Sequence, residues 1–329
     1  MKKCLALIVF LFAHSLLFQP GSSLARGHEQ RVERSFKVRS DGTLHLDSDK
    51  GSVEVQTHSS EEVEVVVFLK ANTSSKDRAQ EWFENFELDF DHRNGDVEIR
   101  GEWRQGWARK RNRLRVHFNC RVPQNYNLDI DTAGGGIRVD DLVGEVRLET
   151  SGGSISMGEI DGPVEAETSG GSISLDRCTG RASVHTSGGN ITLGKIGGPV
   201  DARTSGGSIS VDGVGGDLGA YTSGGSLRLR DINGNVRAKT SGGSIRAELL
   251  KQINSPVNLR TSGGGIILEI PPNFKADLDA STSGGRVVTD VPITIKGTVN
   301  KSSLRGELNG GGPLITLRTS GGNIEIRER

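Results

Sequence analysis

Cysteine, proline, aromatic residues and an excess of either charge are all scarce in this chain. Its 329 residues include 3 Cys and 9 Pro, and aromatics make up 5%. Lys and Arg total 41, as do Asp and Glu, so the formal net charge is zero. That balance argues against a surface built throughout to coat nucleic acid or anionic membrane. Hydrophobic residues make up 33%, too few for a large conventional core. Ile and Val nevertheless recur too regularly for a disordered chain. Glycine is abundant, at 46 residues, but does not recur at every third position, which excludes collagen.

Long apolar runs are missing everywhere except at the start. Lys2 and Lys3 precede the apolar stretch Leu5 to Phe18, and Ser23-Leu24-Ala25 forms a small-x-small cleavage site. Residues 1–25 therefore read as a secretory signal peptide, with the mature chain starting near Arg26. About 14 apolar residues is short for a bilayer span, which needs ~20. Subtracting Lys2 and Lys3 from 41 leaves 39 basic against 41 acidic residues, a net charge of −2. The expected location is secreted or periplasmic, in the cell envelope. Export permits disulfides, yet Cys120 sits in the alternation Leu114, Val116, Phe118, Cys120, Val122, and Cys178 fills an otherwise aliphatic position. Both read as free, buried thiols.

What is present is a repeat. Thr-Ser-Gly-Gly begins at Thr150, Thr168, Thr186, Thr204, Thr222, Thr240, Thr261, Thr282 and Thr319, and Thr132 opens a variant copy, Thr-Ala-Gly-Gly. Every step from Thr132 to Thr240 is 18 residues; the next two are 21 and the last is 37. Within a unit, Ile155, Met157 and Ile160 are apolar in the first half, and Val164 and Ala166 in the second, at period two. The alternation continues to the threonine, which should point inward. Two glycine-bearing corners separate the strands, and glycine there supplies positive φ and close stacking. A fixed period of this length marks a solenoid. An antiparallel meander would need about twenty strands in one sheet, more than the ~10 that open sheets usually reach. The expected fold is all-β: a parallel β-solenoid of about ten coils with an 18-residue period. Right-handed winding is the expectation, because the crossover rule favours it, although solenoids of both hands exist.

Residues 26–130 lack the repeat and read as a β-rich cap on a solenoid spanning 131–329. Strands are expected at Phe36–Val38, Leu44–Leu46, Val53–Val55 and Val63–Phe68. A short helix is expected after the N-cap Ser75, on the spacing of Ala79, Trp82, Phe83 and Phe86. Asn94-Gly95 marks a hairpin turn. Asp49-Lys50-Gly51-Ser52-Val53 resembles a degenerate repeat corner.

The succession of export signal, Gly51-Ser52-Val53-Glu54-Val55, helix, Arg121-Val122-Pro123, Leu128-Asp129-Ile130 and glycine-rich coils resembles a bacterial putative-adhesin family of unknown function. That family is related to the head-domain repeats of autotransporter adhesins. The resemblance covers roughly residues 36–329. It implies an envelope protein and no catalytic residues.

Motifs of chemistry are missing. There is no Gly-x-Ser-x-Gly elbow, phosphate loop or dinucleotide fingerprint. The seven histidines show no metal-ligand spacing, and Asp47-x-Asp49-x-Gly51 matches a calcium loop only in part. No catalytic residue, metal or cofactor is expected. One cluster stands out: Trp103, Arg104, Trp107, Arg109, Lys110 and Arg111, followed by Arg113 and Arg115. Indoles for stacking and cations for charge suit an anionic polymer. Export directs that reading to an anionic polysaccharide or envelope surface instead of nucleic acid. The competing interpretation is a solvated hairpin tip. The expected function is a non-enzymatic, adhesin-like envelope module. The alternatives are a β-helix polysaccharide lyase or glycoside hydrolase, by analogy of fold, and ice binding, which needs outward threonines.

Overall fold

The structure, a computed structural model, describes residues 27–107, 113–295 and 300–329. The expected signal peptide, residues 1–25, lies outside the described residues. Each repeat gives one strand to each of two 15-stranded sheets, and the repeat strands pair in parallel with their equivalents one coil away. Val146 lies beside Val164 and Val164 beside Ala182; Ile155 lies beside Ile173 and Ile173 beside Ile191. This is the expected solenoid, and parallel pairing excludes the meander. Alternation buries one face of each sheet: Ile155, Met157, Ile160, Val164 and Ala166 are all buried, as are their equivalents in the other 18-residue coils. Many thin layers replace one large core, which is how so few apolar residues suffice.

Ten coils carry the Thr-x-Gly-Gly corner, and their threonines are buried. Each hydroxyl donates to the second corner glycine of the coil below: Thr150 Oγ1 to Gly135 O at 2.7 Å, Thr168 to Gly153 at 2.8 Å, Thr186 to Gly171 at 2.7 Å. From Thr168 upward the same oxygen also accepts the N–H three residues on, as in Gly171 N to Thr168 Oγ1 at 3.4 Å. A second ladder runs beside it, with Ser172 N donating to Ser154 Oγ and Asn190 N to Ser172 Oγ, both at 3.1 Å. The buried threonine hydroxyls thus have their hydrogen bonds satisfied.

The expected positive φ is corrected by the structure. Of the corner glycines, only Gly51 (φ 146°) and Gly144 (φ 151°) lie in that range. Close approach is the reason for the rest: a Cβ on Gly171 would sit 2.0 Å from the carbonyl oxygen of Gly153.

The N-terminal region is β-rich with one helix, Lys76–Glu84, capped by Ser75 Oγ, which accepts from Arg78 N at 3.2 Å. Asn94 (φ 56°) and Gly95 (φ 99°) make the hairpin between Phe86–Arg93 and Asp96–Trp103. This region also contributes two coils of its own. Thr43–Ser48 and Ser52–His58 stack in parallel on Asn127–Thr132 and Ile137–Val139. Asp96–Trp103 and Leu114–Pro123 stack beneath them. Spatial order is therefore not chain order, because the later coil lies lower. Both sheets run without a break through residue 130, which falls inside the strand Asn127–Thr132. Antiparallel strands Phe86–Arg93, Glu62–Ala71 and His28–Lys37 close the lower end.

The upper end shows the same inversion. Leu314–Thr319 and Ile324–Glu328 insert between the Thr261 coil and the Thr282 coil. Thr319 Oγ1 donates to Gly264 O at 2.7 Å and Thr282 Oγ1 to Gly322 O at 2.8 Å, which records the order 261, 319, 282. The strand Ile324–Glu328, last in the chain, is thus interior to its sheet.

Candidate functional site

The expected cluster lies on an enlarged corner. Ser48 and Val53, Thr132 and Ile137, and Thr150 and Ile155 are each five residues apart, and the other repeat corners keep that spacing. In the lowest coil the equivalent residues are Gly101, beside Ser48, and Phe118, beside Val53. They are 17 residues apart, an insertion of 12 (17 less 5). Part of the insertion extends the strands Asp96–Trp103 and Leu114–Pro123 past the corner.

Its base is tied down. The Trp103 N–H donates to Asp49 Oδ2 at 2.8 Å, and its ring meets Phe86 edge-on at 5.1 Å between centroids. Asp49, part of the partial calcium-loop match, thus serves as a turn acceptor. The Arg104 N–H donates to Asn85 O at 3.0 Å, just past the helix, and its guanidinium pairs with Glu87. Trp107 N donates to Arg104 O at 2.9 Å, and both indoles pack partly buried against the core. Arg113 and Arg115 are exposed. Arg109, Lys110 and Arg111 lie outside the described residues. Of the expected binding residues, the structure therefore brings Trp103, Arg104 and Trp107 together at one base. There Trp103 is committed largely to packing and Arg104 to an ion pair.

Both cysteines are free and buried. Burial pushes the Cys120 thiol up to about 12, which leaves it inert as a nucleophile. Among the described residues no group of three or more His, Cys, Asp or Glu is placed to hold a metal ion. No described helix is long and apolar enough to cross a membrane.

A second feature is visible only once the two lower coils are counted. On the sheet that ends in the threonines, one outward column runs upward Asp47, Asp131, Glu149, Glu167, His185, Arg203, Tyr221, Lys239, Arg260, Arg318. Read from Glu149 to Lys239 alone, as the perfect repeats invite, the column shows mixed charge. From Asp47 to Arg318 the column is acidic below His185 and mostly basic above it; it continues to Arg100 beneath Asp47 and to Ser281 above Arg318. Partial burial, then the carboxylates of Asp47 and Asp129, hold the Asp131 carboxyl above its ordinary range. The signal was in the sequence: Leu44-His45-Leu46-Asp47-Ser48 matches Leu128-Asp129-Ile130-Asp131-Thr132.

Comparison with curated proteins finds no match. Similar solved structures include a "putative cell adhesion protein" from Clostridium sporogenes ATCC 15579, at 12% identity and TM-score 0.21, covering 91% of this chain and 100% of that one. A "putative adhesin" from Bacteroides fragilis NCTC 9343 has 11% identity and TM-score 0.29, over 91% and 97% of the two chains. A "putative lipid binding protein" from Parabacteroides distasonis ATCC 8503 has 13% identity and TM-score 0.37, over 90% and 96%. The sequence profile of the Toastrack DUF4097 family matches residues 42–327, nearly the whole of the described solenoid and its lower closure. The chain belongs to the Toastrack DUF4097 family.

Proposed function

We propose that this chain is an exported, non-enzymatic, adhesin-like module of the cell envelope, and that the enlarged corner at residues 102–113 is its contact surface. The observation that carries the reading is the 12-residue insertion at that corner, where every equivalent corner keeps a five-residue step. Solenoid corners tolerate insertions because each coil contacts only its neighbours, and loops held by a rigid scaffold are where binding residues concentrate. A segment whose sequence carries Arg109, Lys110, Arg111 and Arg113 soon after two indoles suits an anionic polysaccharide.

The test is a titration of the exported chain with heparin, as an anionic-glycan probe, at two salt concentrations. Binding should weaken steeply with salt, because charge contacts are screened. Replacing Arg109, Lys110 and Arg111 with Ala should weaken it further and leave thermal unfolding unchanged. Trp107→Ala should weaken binding without altering the salt slope. Indistinguishable curves for wild type and the triple variant would leave the corner without this role.

A further inference from the structure

The charge-divided column on the threonine-ending sheet supports an inference separate from the corner. Four carboxylates, Asp47, Asp131, Glu149 and Glu167, occupy four successive coils below His185. Arg203, Lys239, Arg260 and Arg318 occupy four of the six coils above it, with Tyr221 between the first two and Ser281 at the top. We propose that this face is a self-association surface whose occupant is a second copy of the chain, lying face to face with its stack reversed.

Symmetry makes the charge pattern self-complementary. A two-fold axis in the interface, parallel to the strand Ala182–Thr186, lays the coil n steps below His185 over the coil n steps above it. Glu167 of one copy then faces Arg203 of the other, Asp131 faces Lys239, and Asp47 faces Arg260. Each pair occurs twice, as in any isologous contact. Glu149 faces the Tyr221 hydroxyl. In the neighbouring column Asp129 meets Arg237. Two like-charge meetings result: Glu165 with Asp201, compensated within each chain by Arg147 at 3.6 Å and Arg203 at 2.9 Å, and Arg100 with Arg318 at the far ends, compensated within each chain by Glu98 and Asp279. The other two-fold, parallel to the stack, would lay carboxylate over carboxylate and is opposed by charge.

The isolated chain pairs Arg203 with Asp201 and Arg318 with Asp279 and leaves most of the other charges without an ion pair. Asp47, Asp131, Glu149 and Glu167 form no ion pair within the described residues, although consecutive members are register neighbours. Lys239, Arg237 and Arg260 form none either. Facing a reversed copy relieves that repulsion at both ends at once. The nine steps from Asp47 to Arg318 span ~43 Å at ~4.8 Å per coil, and a five-residue strand spans about 17 Å. Roughly 700 Å² per copy is close to the ~800 Å² per partner of a standard interface.

The experiment is sedimentation velocity of the exported chain at about 0.01 M and 1 M salt, where the screening length falls from ~30 to ~3 Å. A dimer is expected at low salt and a monomer at high salt. Asp131→Lys and Lys239→Glu, each alone, should weaken dimerisation at least about tenfold, since each sets like charges face to face. The double variant should recover it, because every exchanged pair is again opposite in sign. Both positions are exposed, so unchanged thermal unfolding shows that each variant is folded. A monomer at low salt, a dimer indifferent to both reversals, or a double variant no tighter than its parents would overturn the proposal. So would a monomer whose acidic half instead takes up calcium in titration. None of these outcomes bears on the heparin titration, which reads a different surface.

Discussion

The Thr168 hydroxyl donates to the carbonyl of Gly153 in the coil below at 2.8 Å and accepts the Gly171 N–H of its own corner at 3.4 Å. One buried oxygen thereby satisfies an acceptor in one coil and a donor in the next. The repeat keeps threonine there because the position needs a hydroxyl for the ladder and a methyl for the core.

Removing that hydroxyl should cost more than removing the methyl. Thr186 donates to Gly171 O at 2.7 Å and accepts from Gly189 N at 3.3 Å. Thr186→Val leaves both part-buried groups without this partner, at about 1 kcal/mol. Thr186→Ser keeps the bonds and gives up only a methyl. Chemical denaturation should rank wild type, Ser and Val in that order; Val equal to wild type would contradict the ladder.

The two corner glycines should differ sharply. A Cβ on Gly171 would meet Gly153 O at 2.0 Å, whereas one on Gly170 meets nothing nearer than Gly152 O at 3.4 Å. Gly171→Ala must push two coils apart and should cost about 1–3 kcal/mol or more. Gly170→Ala should be near neutral. Equal melting temperatures for the two variants would show that backbone approach is not what selects glycine.

Inside and outside should be separable at adjacent residues. Ile191 is fully buried and Thr192 is exposed. Ile191→Asp buries a charge with no partner, and unfolding of several coils is expected. Thr192→Ser should leave the melting temperature within about 1 °C, as surface changes away from special features usually shift stability by under ~0.5 kcal/mol. Circular dichroism melts of the two variants decide it.

Two deletions of nearly equal length should have opposite outcomes. Removing residues 168–185 takes out one 18-residue coil and rejoins like strands in register, so a shorter folded rod is expected. Truncation after Gly312 removes 17 residues, but those residues form the coil clamped between the Thr261 and Thr282 coils. It should detach the strands Ala276–Thr282 and Ser303–Leu308 and lay the buried faces of Leu259 and Leu268 open. Limited proteolysis should leave the first variant resistant and trim the second back toward residue 270. Equal resistance would refute the inverted order.

Cys120 should be chemically silent in the folded protein. Its ordinary value of 9.0 is raised to about 12 by burial, so the thiol keeps its proton when folded. An unfolded thiol ionises earlier, so this group's contribution to stability is full below pH 9 and declines as the pH rises toward 12. Iodoacetamide at pH 8 should label Cys120 only after denaturant is added. Labelling of the native protein at the rate of a free thiol would place Cys120 outside the core.

Much of this architecture follows from the sequence alone, for a direct physical reason. A parallel stack sets residue i beside residue i+18, so the period of the sequence is the register of the sheets, and Ile155, Ile173 and Ile191 fall into one column. Alternation at period two then assigns Ile191 inward and Thr192 outward without any knowledge of the whole. The helix after Ser75 and the Asn94-Gly95 turn are local in the same sense. The stacking order at the two ends is not. Coils with matching strands can stack on one another in any order, and the repeat cannot state which pairs meet. Tertiary structure decides that the strands around Gly101 lie below those around Ser48, and that the Thr319 coil enters between the Thr261 and Thr282 coils. Those placements come from long connections and from the antiparallel strands that close each end. They also set Asp47 and Asp131 in one column with Lys239 and Arg260, so the division of charge along the face is a property of the folded stack, formed by residues more than a hundred positions apart.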